Sequence, residues 1–179
     1  MAGHGQFCSV ARALEILGGR WTLLVVRELL SGSRRFNEIR RGIPRISRTV
    51  LAERLRELAL AGAIVRVESA QGPEYALTDA GRELAEIVAG LGAWGQRWIP
   101  RQALEEDLDL DPLLIDMERR VRFDALPEEP VVARFEIDKN RPRFLLLRKS
   151  EAAVCTHNPG FPELRVRGPV GALAAWWRG

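Results

Sequence analysis

The chain has 179 residues, 46% of them apolar and 28% charged. That is enough apolar material for one large or two small packed cores and too much charge for a membrane protein. No apolar run approaches the roughly 20 residues a spanning helix needs, and MAGHGQF, with no basic lead and no apolar core, predicts no secretory signal. The net charge of +3 is unevenly placed, since residues 1–100 hold 14 basic and 10 acidic side chains and residues 101–179 hold 13 and 14. An anionic partner is therefore expected for the first half. Cys8 and Cys155 lie far apart and form no metal-type spacing with His4 or His157, which implies no metal or other cofactor and fits a reducing cytoplasm.

Val10, Ala13, Leu14 and Leu17 follow Cys8 as a helical apolar face ended by Gly18-Gly19. WTLLVVRELL, residues 21–30, reads as the buried helix of a small helical core, with Arg20, Arg27 and Glu28 as its few charges. The stretch from Ser31 to Gly62 then reads as two helices joined by a short turn. Phe36 and Ile39 mark the first helix, and Gly42-Ile43-Pro44 stops it, because a residue before proline is pushed out of the α region. Ser47 caps the second by offering its hydroxyl to the free N–H groups of the first turn. Leu51, Leu55 and Leu58 fall on one side of that helix, with Thr49, Ala52, Glu53 and Arg56 opposite and Arg48 at the flank.

Between Ser31 and Arg56 there are eight arginines and two acids. Two helices of this kind are what a helix-turn-helix needs, the first crossing the phosphate backbone and the second entering the major groove. Arginine suits both tasks as a forked donor to phosphate and to the guanine edge. On this reading Ser47, Arg48, Thr49, Ala52 and Arg56 face the bases of double-stranded DNA, while Arg34, Arg35, Arg45 and Arg54 hold phosphates. The plainer alternative is a helical hairpin with a solvated basic face.

After Gly62 the period changes from 3.6 to 2. AIVRVES and EYALT flank Ala70-Gln71-Gly72-Pro73, which predicts a hairpin with those four residues as its turn, the wing of a winged helix-turn-helix. Its tip, Glu68 to Glu74, lacks basic residues, and only Arg66 lies nearby. Thr78-Asp79 then caps a helix running through Leu84, Ile87, Val88 and Leu91 towards Trp94 and Trp98. Those apolar residues are too many for one small domain, and a second copy of the helix would bury them, which predicts a homodimer. The alternative is that residues after 100 cover them.

CSVARALEILGGRW, RFNEI, ISRTVLAERLREL and YALTDAG, with LGAWGQRW after them, together resemble the HxlR-type winged helix-turn-helix regulators of bacteria over roughly residues 6–100. The resemblance implies a dimeric transcription regulator, with the helix from Ser47 in the major groove and Arg34 and Arg35 among the DNA contacts. It also implies that Cys8 is a redox sensor candidate, for which an exposed thiol near positive charge is needed. Arg12 sits one helical turn on. A small buried hydrophobe is the alternative for Cys8, and plain core is the expectation for Cys155. The acidic wing departs from the family pattern.

RQALEEDLDLDP, acidic and proline-ended, reads as a linker over 101–111 between a domain at 1–100 and another at 112–179. Pro112 to Phe123 predicts a helix, followed by four strand-like runs taken as a small antiparallel sheet and a closing helix at ALAAWW. The expected fold class is thus a mainly α N-terminal winged helix-turn-helix domain plus a small α+β C-terminal domain. VCTHNPGF and ELRVRGPVGALAAWWRG resemble, less strongly, the sterol-carrier-protein-like domains, which implies an apolar small-molecule effector held between sheet and helices. The unit stops at Gly179 where that family continues, so it is expected to be incomplete. His157 beside Asn158-Pro159-Gly160 reads as a turn residue, and no catalytic constellation points to an enzyme. The function expected is a transcriptional regulator acting as a repressor, located in the cytoplasm and free of the membrane. Its rival is a small-molecule carrier whose winged helix serves protein interaction only.

Overall fold

The computed structural model describes residues 5–99, 108–138, 141–160 and 164–178. The chain divides into two compact units, Met1–Trp98 and Ile99–Gly179. In the first, α1 (Ser9–Leu17), α2 (Thr22–Leu30), α3 (Phe36–Gly42) and α4 (Arg48–Leu60) precede the hairpin β1 (Ile64–Ser69) and β2 (Gly72–Leu77), and α5 (Asp79–Trp98) closes the unit. The fold class expected from the sequence is the one observed: a winged helix-turn-helix followed by a small sheet-and-helix unit.

The core of this unit is Val25, Val26 and Leu29 of α2 packed with Ile39, Ile43, Ile46, Leu51, Leu55, Leu58 and Ile64. Leu51, Leu55 and Leu58 are fully buried, as their spacing requires. Ser47 Oγ accepts from Val50 N at 3.2 Å and so starts α4. Thr78 Oγ1 accepts from Gly81 N at 3.1 Å and starts α5. The hairpin turn is tighter than predicted. Ser69 pairs with Gly72 and Glu68 with Pro73, so only Ala70 and Gln71 form the loop. Gly72 stands at φ +104°, which a side-chain-bearing residue resists.

The predicted apolar face of α1 is split, with Leu17 packed against the core and the rest turned outward. Only Ala11 is buried on that helix, and Val10 and Leu14 point to solvent. Trp21 opens α2 in the left-handed region (φ 79°), a costly conformation for a bulky residue. Its ring packs against the core and lies under the Arg20 guanidinium, 4.8 Å from its centroid.

In the second unit α6 spans Leu110–Arg119, not Pro112 to Phe123; Phe123–Ala125 is a separate single 3-10 turn. Proline is tolerated in a helix's first turn, where its missing N–H has no intrahelical partner, so α6 begins before Pro112 and inside the stretch expected to be linker. Residues 101–107 of that stretch lie outside the described residues. Strands β3 (Val131–Ile137), β4 (Arg143–Arg148), β5 (Glu151–Cys155) and β6 (Leu164–Gly168) form one sheet in the order β5-β4-β3-β6, followed by α7 (Val170–Arg178). The sheet is mixed, since β6 runs parallel to β3. Strand composition carries no direction, and the antiparallel expectation fails there. Leu110, Leu114 and Met117 of α6 and Leu173 of α7 fill the space over Ala133, Phe135, Ile137 and Leu145. Cys155 is half-buried against Val132, Phe144 and Leu146 on the other face. No described helix is long and apolar enough to cross a membrane.

Candidate nucleic-acid interface

The outer side of α4 is built by the same spacing that buries its inner side. Ser47, Arg48, Thr49, Ala52 and Arg56 are all exposed along it. Arg34 and Arg45 are exposed as well. Among the described residues, Arg34, Arg48 and Arg56 enter no ion pair. An unpaired guanidinium is ready to meet phosphate or a guanine edge without first breaking an internal contact.

Two of the residues expected to hold phosphate are engaged with partners within the protein. Arg54 is only 16% exposed and is paired with Glu57 and, at 3.3 Å, with Glu53. Its guanidinium lies against Gly19, where an added Cβ would come within 2.7 Å of Nη1. Arg54 therefore ties α4 to the α1–α2 corner rather than standing on the outer face, and three-residue helical spacing to Glu57 draws it inward. Arg35 is the second. Its Nε and Nη2 donate to Glu74 Oε1 at 3.3 and 3.0 Å, and Nη2 also donates to Gln71 Oε1. The backbone joins in, with Tyr75 N donating to Arg34 O at 2.8 Å and an antiparallel bridge between Arg35 and Glu74. The segment before α3 thus adds a short third edge to the wing.

Glu38 completes this corner. Its Oε2 accepts from the backbone N–H groups of Arg34 and Arg35 at 2.9 and 3.0 Å. Burial pushes the carboxyl up, but those two donors and the Arg35 charge outweigh it and hold Glu38 below its ordinary 4.5. A depressed carboxylate contributes stability above its unfolded pKa and loses it as pH falls through the folded one. Glu38→Gln is therefore expected to flatten the loss of melting temperature on acidification below pH 4.5. Parallel melting curves for wild type and variant across pH 6 to 3 would contradict this.

Glu28 stands in the sequence only as one of the few charges of its helix. It is fully buried, with Arg27 Nη2 donating to Oε1 at 2.8 Å and Ser33 Oγ donating to Oε2 at 3.5 Å. The same Arg27 Nη2 donates to Gly42 O at 3.1 Å, which fixes the end of α3 and hence where the turn to α4 begins. Through Arg27, the Glu28 carboxylate is thus linked to the C-terminal end of α3. A lone acid in WTLLVVRELL followed by a glycine 14 residues on was the available signal, though neither residue alone demands the pairing.

Away from this surface, α5 buries only Gly81 completely. Ile87, Leu91, Trp94 and Trp98 are exposed, and Phe7, Val10 and Leu14 add a second apolar strip at and before α1. Cys8 is an exposed free thiol at the N-cap of α1. Arg12, one turn on, directs Nη1 to Glu15 at 2.9 Å and not to the thiol.

Comparison with known proteins places this geometry. A family model described as HxlR-like helix-turn-helix matches residues 16–103. The HTH-type transcriptional regulator YvaP of Bacillus subtilis strain 168 is 42% identical over 97 residues, a stretch that covers 52% of this chain and 90% of YvaP. The HTH-type transcriptional regulator Rv3095 of Mycobacterium tuberculosis strain H37Rv is 45% identical over 96 residues, covering 52% of this chain and 60% of that protein. Among solved structures, PA1607, a candidate transcription factor, superposes with a TM-score of 0.52 at 32% identity, covering 61% of this chain and 75% of that one.

Proposed function

Because this chain belongs to the HxlR-like helix-turn-helix family of transcriptional regulators, we propose that it reads operator DNA as a homodimer and acts as a repressor. The observation that carries the reading is the two-sided α4, whose inner leucines are sealed in the core while Ser47, Arg48, Thr49, Ala52 and Arg56 stand outward and, among the described residues, Arg48 and Arg56 enter no ion pair. These five are the base-facing set, and Arg34 and Arg45 are the phosphate set. Base contacts specify while phosphate contacts only position. A repressor needs no more than such occupancy of a promoter.

Arg48→Ala is expected to cost about 1–3 kcal/mol on the operator and little on a scrambled duplex, as the loss of one guanine contact does. Fluorescence anisotropy on both duplexes measures it. Equal loss on the two would remove Arg48 from the base-reading set, and the absence of any salt-dependent DNA binding by the wild type would favour a protein-interaction role for the winged helix.

Cys8 is, in this reading, the thiol open to oxidants, and it lies next to the outward apolar strip of α1. Modification there would act on the surface between protomers. The resemblance of the second unit to sterol-carrier-protein-like domains makes an apolar effector part of the proposal. Leu110, Leu114, Met117, Phe135 and Leu173 occupy the space between its sheet and helices, so a ligand there would have to displace them.

A further inference from the structure

The wing of this protein carries Glu68 and Glu74, with Arg66 paired to Glu68 at 2.9 Å and Arg35 paired to Glu74 at 3.0 Å. Taken with Arg35 the wing is electrically neutral, so it adds nothing to the attraction of phosphate, although Arg35 stands immediately before the helix that crosses the backbone. The pairing is not a loose surface contact. Two nitrogens of Arg35 reach the same Glu74 oxygen, and Gln71 takes a third contact from the guanidinium. Ser69 Oγ lies 3.3 Å from that oxygen and 2.7 Å from Gly72 O, which braces the carboxylate at the loop. Glu74 is the less exposed partner, at 22% against 40% for Arg35.

We infer that Glu74 is a specificity-determining residue that masks Arg35 from the DNA backbone. It removes one phosphate contact per protomer and leaves discrimination to the outer face of α4. Phosphate attraction is blind to sequence and raises binding to every duplex alike, so withholding it lowers occupancy of bulk DNA without touching base readout. A chain with a neutral wing and a base-reading helix keeps its contrast between operator and bulk at moderate total affinity. This inference rests on the DNA-reading function proposed above.

The test is the salt dependence of binding, measured by anisotropy on a duplex from the chain's own promoter and on a scrambled duplex. Glu74→Gln keeps the size and hydrogen-bonding reach of the side chain but removes its charge. It is expected to tighten binding to both duplexes and to steepen the plot of log affinity against log salt by about 0.9 per protomer. Arg35→Gln in the wild-type background is expected to leave the slope unchanged, because its charge is already taken. The double variant is expected to return to the wild-type slope, and that cycle separates release of Arg35 from simple removal of a repelling carboxylate. A Glu74→Gln slope equal to wild type overturns the inference, as does a steep slope that persists in the double variant. A flatter slope for Arg35→Gln alone also overturns it, and this arm decides the matter even if Glu74→Gln melts early. Failure of the wild type to bind either duplex in a salt-dependent way overturns the DNA reading itself, and this inference with it.

Discussion

Gly42→Ala is expected to destabilise the N-terminal unit by about 3 kcal/mol, the upper end of what overpacking a core costs. A Cβ at Gly42 would sit 1.8 Å from Glu28 Oε2, 2.2 Å from Cδ and 2.6 Å from Oε1. Moving a surface carboxylate aside would be cheap, but Glu28 is fully buried and held by Arg27 and Ser33. To yield it must give up those partners inside the core, where an unpaired charge is far costlier than in water. Arg27 is 43% exposed and can turn to solvent, which keeps the total below that of a fully buried pair. Against a domain stability of roughly 5–15 kcal/mol this is a large fraction. Urea unfolding measures it, and a variant within about 1 kcal/mol of wild type would show that the contact is soft. Glu28→Ala in the same chain makes room for the new methyl, so the double variant should lose less than the two single losses added together.

Leu91→Glu combined with Trp94→Glu is expected to leave a folded monomer whose operator affinity falls at least about a hundredfold, the scale on which bivalent attachment exceeds a single site. Ile87, Leu91, Trp94 and Trp98 lie at spacings of four, three and four, one stripe along α5, and each is more than half exposed. A contiguous apolar patch of this kind is what an interface between copies would use. In a two-fold dimer the same stripe meets itself, so each introduced carboxylate faces a like charge across the axis. The residues make little contact with their own unit's core, so folding should survive. Light scattering reads the mass and anisotropy the affinity. A dimer that persists, or an affinity within threefold of wild type, would move the interface elsewhere.

The motif itself was legible in the chain. Helix spacing, the Ser47 cap, the Pro44 stop and the period change after Gly62 are each written within a few consecutive residues, and the structure places α3, α4 and the hairpin where those signals put them. In α1 the amphipathic spacing says only that a face is apolar. It does not say whether that face meets the same chain or remains outward, as Val10 and Leu14 do. The second sheet misled in a related way, since β6 carries the same alternation whether it runs with β3 or against it.

Charge was the least legible property. Eight arginines in one stretch are visible in the sequence, but their partners are not. Arg35 meets Glu74 across 39 positions, and Arg27 reaches Gly42 across 15. The chain by itself determined the helices, the cap, the wing and the basic character of the surface, because periodicity and capping act over one turn of backbone. Only the tertiary structure decided which of those arginines stand outward and which pair within the protein. Ion pairing depends on the distance between side chains in space, and that distance is set by how α3, β2 and α4 come to rest against one core.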